Sequence, residues 1–406
     1  MLGRQFVGNG DLAVAVCWAG SSIDTAFGCH RLPPNMNIEG HVDGDVVHVG
    51  HDARQRFHDS RGYGYPLEGN DVALAPVEAA HLLARGDLAS VDGMDFRAFV
   101  RASDDPTLPV RYLVYADLRE RGFYCAPAHP DWTAFARTDG TADDAGGRRG
   151  DDFVVFPRGS GPGDGEIAYR VRVSGERTSV PARALGDCVL AVVDEESEIT
   201  YLETRTPEVS GTVTPSLPES ASADLLADRV TVWGPAGDAL YERGFYGTPL
   251  SGRDTGTGAI VVSLVEAAHL AANDALDVPA DVVVARGRDV EGERYDRRLA
   301  AYRDLRAAGV APKTGFKFGA DFRTYADFES PDDVGHSERL VRVLPSEHAF
   351  APRDLALDVR LANGVKKTMT FALVDATGDG PATGDETATG DDGATVEWLA
   401  ISRLTP

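Results

Sequence analysis

Apolar residues recur along this chain at two different spacings, and the alternation between them predicts the element order. Around Val77–Ala84 and again around Leu264–Ala272, Ala and Leu fall at helical spacing. A second helical stretch follows each, at Arg111–Arg121 and at Arg297–Ala308. Runs that alternate in strand fashion come next; toward the C-terminus they are Phe316–Tyr325, Arg339–Leu344 and Thr368–Asp375. Leu355 and Val359, one turn apart, predict a further helix ahead of Lys367. Helices followed by strands, twice over, give an α+β fold.

The two halves are copies. Gly62-Tyr-Gly-Tyr-Pro-Leu-Glu-Gly-Asn-Asp71 returns as Phe245-Tyr-Gly-Thr-Pro-Leu-Ser-Gly-Arg-Asp254, and Val77-Glu-Ala-Ala-His-Leu82 as Val265-Glu-Ala-Ala-His-Leu270. Tyr115-Ala-Asp-Leu-Arg-Glu-Arg-Gly122 matches Tyr302-Arg-Asp-Leu-Arg-Ala-Ala-Gly309. A period of about 185 residues is far too long for a solenoid. It implies tandem copies of a two-domain unit, each a small α/β N-terminal domain followed by a mixed β-sheet domain flanked by helices. The expected boundaries are 36–110 and 111–205 for the first unit, then 227–296 and 297–406 for the second. Residues 206–226 between them are rich in Pro, Ser and Thr and read as a linker. Residues 377–394, almost all Gly, Asp, Thr and Ala, are expected to form a flexible acidic loop between two strands. Residues 1–35 have no counterpart before the second unit. They read as a disordered extension or as the result of a start assigned too early, with Met36 a more natural beginning than Met1.

Charge adds habitat. Asp and Glu number 64 against 40 Lys and Arg, for a net charge of -24 and a pI near 4.7. Arg in place of Lys, with many short Asp/Gly/Ala runs, suggests a high-salt cytoplasm, where the Debye length falls to about 3 Å at 1 M salt. The acidity is therefore a property of habitat and weak evidence against a nucleic-acid partner. Cys17, Cys29, Cys125 and Cys188 form no CxxC pair and read as reduced thiols, neither a zinc site nor a disulfide frame. No apolar run approaches the roughly 18 residues of a membrane span, and no signal peptide is evident. A cytoplasmic protein without cofactor is expected.

All four lysines, Lys313, Lys317, Lys366 and Lys367, fall in one stretch of the last quarter. The same stretch holds Tyr325 and His336. RNA strand cleavage without a metal needs a base for the 2′-OH proton, an acid for the 5′-oxygen and a positive charge at the phosphorane-like transition state. Histidine suits the acid near neutrality and lysine the point charge. Tyrosine is a poor base unless cations lower its pKa, which Lys367 and Arg323 are placed to do. Singly, each has an ordinary structural reading: Tyr325 as strand packing, His336 as a surface residue beginning a strand, Lys366 and Lys367 as complements to a helix C-terminus. Comparison of the copies lowers those readings. Aligning Asp152–Phe156 with Asp321–Tyr325 sets Phe156 opposite Tyr325. Matching Val171-Arg-Val173 with Val341-Arg-Val343 sets Glu166 opposite His336. Matching Ala191–Asp194 with Ala372–Asp375 sets Gly186 opposite Lys367. The first copy lacks all three groups.

Gly-Phe-Lys-Phe-Gly-Ala-Asp-Phe-Arg-x-Tyr, His-Ser-Glu-x-Leu-Val and Val-Arg-Leu-Ala-x-x-Val-Lys-Lys together resemble the archaeal tRNA-splicing endonuclease (tRNA-intron lyase) family. The resemblance runs from about residue 36 to Pro406 and is closest to the duplicated, homodimeric type. It implies a nuclease-like fold for the β-sheet domains, with Tyr325 as general base, His336 as general acid and Lys367 as transition-state stabiliser. It also implies metal-independent excision of introns from precursor tRNA at bulge–helix–bulge sites, leaving 2′,3′-cyclic phosphate and 5′-OH ends. The family more usually carries Arg then Lys where this chain has Lys366-Lys367, so Lys367 takes the catalytic role and Lys366 stands as backup. Arg360 and Arg403 match family arginines that sandwich a flipped base. Asp194, Glu195, Glu196 and Glu198 sit where, by the resemblance, the family's acidic loop is expected to dock into a partner chain. A non-catalytic RNA-binding or assembly subunit is the alternative. A metal-dependent nuclease would need an Asp…Glu-x-Lys cluster that the lysine stretch does not offer.

Overall fold

The computed structural model describes residues 38–129, 132, 150–161, 166–250, 258–375 and 394–406. The expectations for residues 1–35, and for 377–393 of the acidic loop, lie outside the described residues, as do Cys17 and Cys29.

The first N-terminal domain is a five-stranded sheet packed on helices. Its strands are β1 (Glu39–Asp43), β2 (Val46–Val49), β3 (Tyr65–Pro66), β4 (Val72–Leu74) and β5 (Ser90–Val91), in the order β3-β4-β2-β1-β5. Helix α1 (Pro76–Arg85) starts with Pro at its first turn and ends at Gly86, whose φ of 72° is the left-handed cap that glycine reaches without steric cost. Its buried face carries Val77, Ala79, Ala80, Leu82 and Leu83. Helix α2 (Phe96–Ala102) completes the domain, and α3 (Leu108–Glu120) leads into the next sheet.

That sheet has ten strands and runs through both copies. The first copy gives β6 (Tyr124–Pro127), β7 (Phe153–Phe156), β8 (Tyr169–Gly175), β10 (Cys188–Val193) and β11 (Ile199–Arg205), with β9 (Val180–Pro181) lying apart. The second N-terminal domain follows: β12 (Ala223–Leu225), β13 (Arg229–Trp233), β14 (Thr248–Pro249) and β15 (Ala259–Ser263), with α4 (Pro235–Gly244), α5 (Leu264–Ala272) and α6 (Ala280–Glu291). The chain then forms α7 (Arg294–Ala307), β16 (Ala311–Thr314), β17 (Phe322–Tyr325), β18 (Arg339–Pro345), β19 (Ala349–Phe350), α8 (Pro352–Gly364), β20 (Thr368–Val374) and β21 (Val396–Leu404).

The sheet order is β16-β17-β18-β20-β21-β11-β10-β8-β7-β6, so each half repeats the other and the halves meet where β21 pairs antiparallel with β11. β8/β10 and β18/β20 are the parallel neighbours. The β18–β20 crossover is α8, as parallel strands require a long connection. On one face each half has its own core, under α1 and α3 or under α5 and α7. On the other face Leu190, Leu202, Leu340, Phe371, Leu399 and Ile401 form one core shared by both copies. Each of these side chains contributes roughly 1.5–3 kcal/mol by leaving water. A second bridge pairs β9 with β19.

Three local expectations change. The run Phe316–Tyr325 is not one strand: Phe316–Phe318 is a 3₁₀ turn closed by Gly319 at φ 68°, and β17 begins at Phe322. His336 does not begin a strand; it lies in the loop before β18, which starts at Arg339. Within 206–226, Gly211, Thr212 and Val213 hydrogen-bond to Ala308, Ala326 and Gly309 at 2.7–2.8 Å, and β12 joins the second N-terminal sheet. A Cβ on Gly211 would lie 2.5 Å from the Gly309 carbonyl oxygen, so only glycine permits that approach.

Candidate active site

Strand register brings the sequence candidates to one end of three neighbouring strands. Tyr325 closes β17, and Lys367 immediately precedes β20. Arg339 of β18 pairs with Thr324 on one side and Thr368 on the other. The Glu338 amide donates to the Thr324 carbonyl at 3.1 Å, and Lys367 Nζ donates to the Ser337 carbonyl at 2.6 Å. Lys367 belongs to this small network, and Tyr325 and His336 each adjoin a residue of it in sequence.

Their surroundings differ. Tyr325 is buried against Val213, Phe245 and Ala311, whereas His336 is exposed. Lys367 is half-buried, its Nζ 6.0 Å from the Phe318 ring centroid. Loss of hydration, with the nearby Arg323 charge, holds the Lys367 amine below its ordinary value. Arg323 lies 5.7 Å from the Tyr325 ring centroid, so a cation flanks the tyrosine. Lys366 is exposed at φ 57°, turned away from regular strand geometry.

The remaining candidates lie elsewhere. Arg360 is on the exposed side of α8, and Arg403 is exposed on β21, two residues from Ile401 on the face that α8 covers. Asp194–Glu198 is a tight turn between β10 and β11. Asp194 Oδ1 accepts the Glu196 and Glu198 amides at 2.9 Å, which leaves the three glutamates exposed, with Glu195 2.6 Å from Arg177.

Registers also equate the copies. Val171 pairs with Phe153 and Val189, and Val341 pairs with Phe322 and Thr370. Counting along the strands sets Phe156 against Tyr325 and Gly186 against Lys367. A buried network is common to both halves. In one, Glu78 accepts the Gly64 and Ala75 amides and Arg119 stacks 4.1 Å over Tyr63; in the other, Glu266 accepts the Gly247 and Ser263 amides and Arg306 stacks 3.8 Å over Tyr246. Lys313 distinguishes them. It is buried, donates to the Phe245 and Gly247 carbonyls at 3.1 and 2.6 Å, and sits 3.7 Å from Glu266. Burial drives the Glu78 carboxyl up to about 7. Burial would do the same to Glu266, but the Lys313 ammonium and the hydrogen bonds outweigh it and hold that carboxyl below its ordinary value. Lys313 thus has a structural partner, and membership of the lysine stretch did not reveal it.

Among the described residues no His, Cys, Asp and Glu side chains cluster as a metal site, and no helix is long and apolar enough to cross a membrane. A family model described as the tRNA intron endonuclease catalytic C-terminal domain matches residues 295–382. The N-terminal domain model of the same family matches twice, at 38–100 and 221–284. A tRNA-splicing endonuclease of Haloarcula marismortui is 56% identical over 367 residues, covering 90% of this chain and 99% of that protein. One from Haloferax volcanii is 51% identical over 369 residues, covering 91% and 100%. One from Methanosarcina barkeri is 35% identical over 358 residues, covering 82% and 94%.

Proposed function

The chain belongs to the tRNA intron endonuclease family, and on that premise we propose that this tRNA-splicing endonuclease cuts precursor tRNA at bulge–helix–bulge sites using side chains alone. Tyr325 takes the 2′-OH proton, and the freed 2′-oxygen attacks the adjacent phosphorus. The bond to the 5′-oxygen breaks, and that oxygen takes a proton from His336. Lys367 faces the non-bridging oxygens where negative charge gathers. The products are a 2′,3′-cyclic phosphate and a 5′-OH, and each positioned proton transfer supplies about 10²- to 10⁴-fold. One observation carries this reading. At equivalent strand positions the first copy has Phe156 and Gly186 where the second has Tyr325 and Lys367, on the same scaffold.

Arg360 and Arg403 take the splayed base of a bulge between guanidinium planes, a contact less sensitive to salt than phosphate pairing. The Asp194–Glu198 turn, pinned by the Asp194 carboxylate accepting its amides, docks into a second copy of the chain. Two copies then present two cutting sites to the two bulges, in the cytoplasm.

The test is cleavage of an end-labelled bulge–helix–bulge precursor in high KCl with EDTA, with product ends identified. Two cuts ending in cyclic phosphate are expected, and Lys367→Ala should abolish them while RNA binding persists. Full activity of that variant refutes the assignment. A folded wild-type protein that binds the RNA without cutting it would favour a non-catalytic assembly role.

A further inference from the structure

We propose that Phe245, carried by the N-terminal domain of the second unit and fixed by Lys313, is a positioning residue for Tyr325. The proposal rests on the reading of Tyr325 as the group that takes the 2′-OH proton.

The Phe245 ring meets Tyr325 edge to face, with centroids 5.3 Å apart and planes at 71°. It also stacks in parallel on Phe328, 4.4 Å away and tilted by only 8°, with Tyr241 at 6.2 Å. Edge-to-face and stacked pairs have defined orientations, because the ring faces are negative and the edges positive. Phe245 therefore sets an angle for the tyrosine ring as well as filling space beside it. Val213, from the segment joining the two units, and Ala311, across the β16–β17 ladder from Tyr325, close the remaining walls.

Lys313 holds Phe245 from behind. Its Nζ bonds to the carbonyls of Phe245 and Gly247 and lies 4.8 Å from the centre of the Phe245 ring. Glu266 completes the cage by accepting the Gly247 amide at 3.0 Å while facing the ammonium. Lys313, in the catalytic domain, thereby ties the Phe245–Gly247 turn of the N-terminal domain to the wall of the tyrosine pocket.

Backbone conformation points the same way. Phe245 has φ 55°, in the left-handed region that disfavours any residue with a Cβ. The aligned residue of the first copy is Gly62, at φ 65°, where the same turn carries no such strain. A phenylalanine kept where glycine would be easier indicates a use for the ring. Register makes the comparison complete: Ala126 pairs with Val154 as Lys313 pairs with Arg323, so Ala126 is the counterpart of Lys313. The copy with Phe156 has Gly62 and Ala126; the copy with Tyr325 has Phe245 and Lys313. The clamp is present with the tyrosine and absent with its phenylalanine counterpart, while the buried Glu, Arg and Tyr beneath it are common to both.

Phe245 touches Tyr325 and acts through it. A reacting group that loses a fixed angle still binds substrate but spends less time aligned, a loss that reaches about 10²-fold for a displacement near 1 Å. The experiment is single-turnover cleavage of an end-labelled bulge–helix–bulge RNA in high KCl by the full-length protein. The variants are Phe245→Gly, Phe245→Leu, Tyr325→Phe and the double variant Phe245→Gly/Tyr325→Phe. Phe245→Gly installs the residue that the first copy tolerates at this turn, so the fold is expected to survive, and a melting curve in the same buffer verifies it. The expected result is a cleavage rate lowered by about 10- to 100-fold with RNA affinity unchanged. Phe245→Leu should recover part of the loss, and Phe245→Gly should cost nothing further in the Tyr325→Phe background. Wild-type cleavage by Phe245→Gly beside a crippled Tyr325→Phe overturns this proposal and leaves the role of Tyr325 standing. Losses that multiply in the double variant also overturn it. A Tyr325→Phe protein with full activity removes both readings together.

Discussion

Replacing Lys313 by methionine should convert one buried glutamate into the state of its twin. Glu78 and Glu266 occupy equivalent helices and accept equivalent amides, but only Glu266 faces a lysine. Without a lysine, burial drives Glu78 from 4.5 to about 7. Lys313→Met should leave Glu266 near the same value. A carboxyl raised that far above its unfolded pKa binds a proton in the folded state that the unfolded chain has released. Its contribution is fully present below about pH 4.5 and is lost as pH rises through 7. At 1.36 kcal/mol for each pKa unit, the variant loses ~3 kcal/mol at pH 8 and under about 1 kcal/mol at pH 5. Wild-type Glu266, held low, shows the opposite dependence and loses stability only as pH falls below the ordinary carboxylate range. Native-state hydrogen exchange on peptides from α5 reads this directly, since ~3 kcal/mol is roughly a hundredfold or more in protection. Protection should fall by that factor at pH 8 and recover toward wild type at pH 5. An equal deficit at both pH values would refute the reasoning, and would show that Lys313 contributes through packing and its carbonyl bonds alone.

Other outcomes follow from the same geometry. Gly211→Ala places a methyl 2.5 Å from the Gly309 oxygen and 2.6 Å from the Ala326 oxygen, so the joining segment must lift, at about 1–3 kcal/mol; native-state proteolysis there should accelerate, and an unchanged cutting pattern counts against the contact. Burial holds both His81 and His269 at about 4. From pH 7 to 5 the charging of His269 in the unfolded chain should cost α5 about 2 kcal/mol, whereas in α1 the opposite drift of Glu78 offsets His81; equal acid sensitivity of both helices contradicts this. Glu195→Gln, Glu196→Gln and Glu198→Gln together keep the Asp194-bonded turn and remove its exposed charge. Light scattering should then report monomers, and an unaltered dimer mass would remove the turn from the docking surface. Arg360→Lys or Arg403→Lys retains charge but loses the planar stack, so RNA binding should weaken by about 1–3 kcal/mol with little change in its salt dependence; undiminished affinity removes that arginine from the RNA contact.

Much of the fold was legible because duplication supplies an internal comparison. The pairs Phe156/Tyr325 and Gly186/Lys367, aligned from short motifs, are the pairs that strand register equates. Helices at Val77–Ala84 and Leu264–Ala272 were readable from apolar spacing, which local packing enforces. What escaped depends on contacts distant in sequence. Nothing near Phe245 signals that its ring lies against Tyr325, eighty positions later. Lys313 reads as one more lysine of a cationic stretch until Glu266 and two carbonyls are seen around it. Alternation in Phe316–Tyr325 imitates a strand, but Gly319 in the left-handed region turns the chain first. The Pro/Ser/Thr-rich stretch at 206–220 has a linker's composition, yet Gly211 reaches between Gly309 and Ala326 because glycine alone fits there.

The seam between β11 and β21 also sets an order of events during synthesis. Among the described strands β21 is the last to be made, yet it belongs in the middle of the sheet, between β20 and β11. Until Val396–Leu404 leaves the ribosome, the nascent chain carries two bare strand edges and half-covered apolar faces, the condition most exposed to wrong pairing. A chain cut short before Val396 keeps both edges open. Closure of the sheet therefore waits on Val396–Leu404: the two halves join into one continuous sheet only when that strand has paired on both sides.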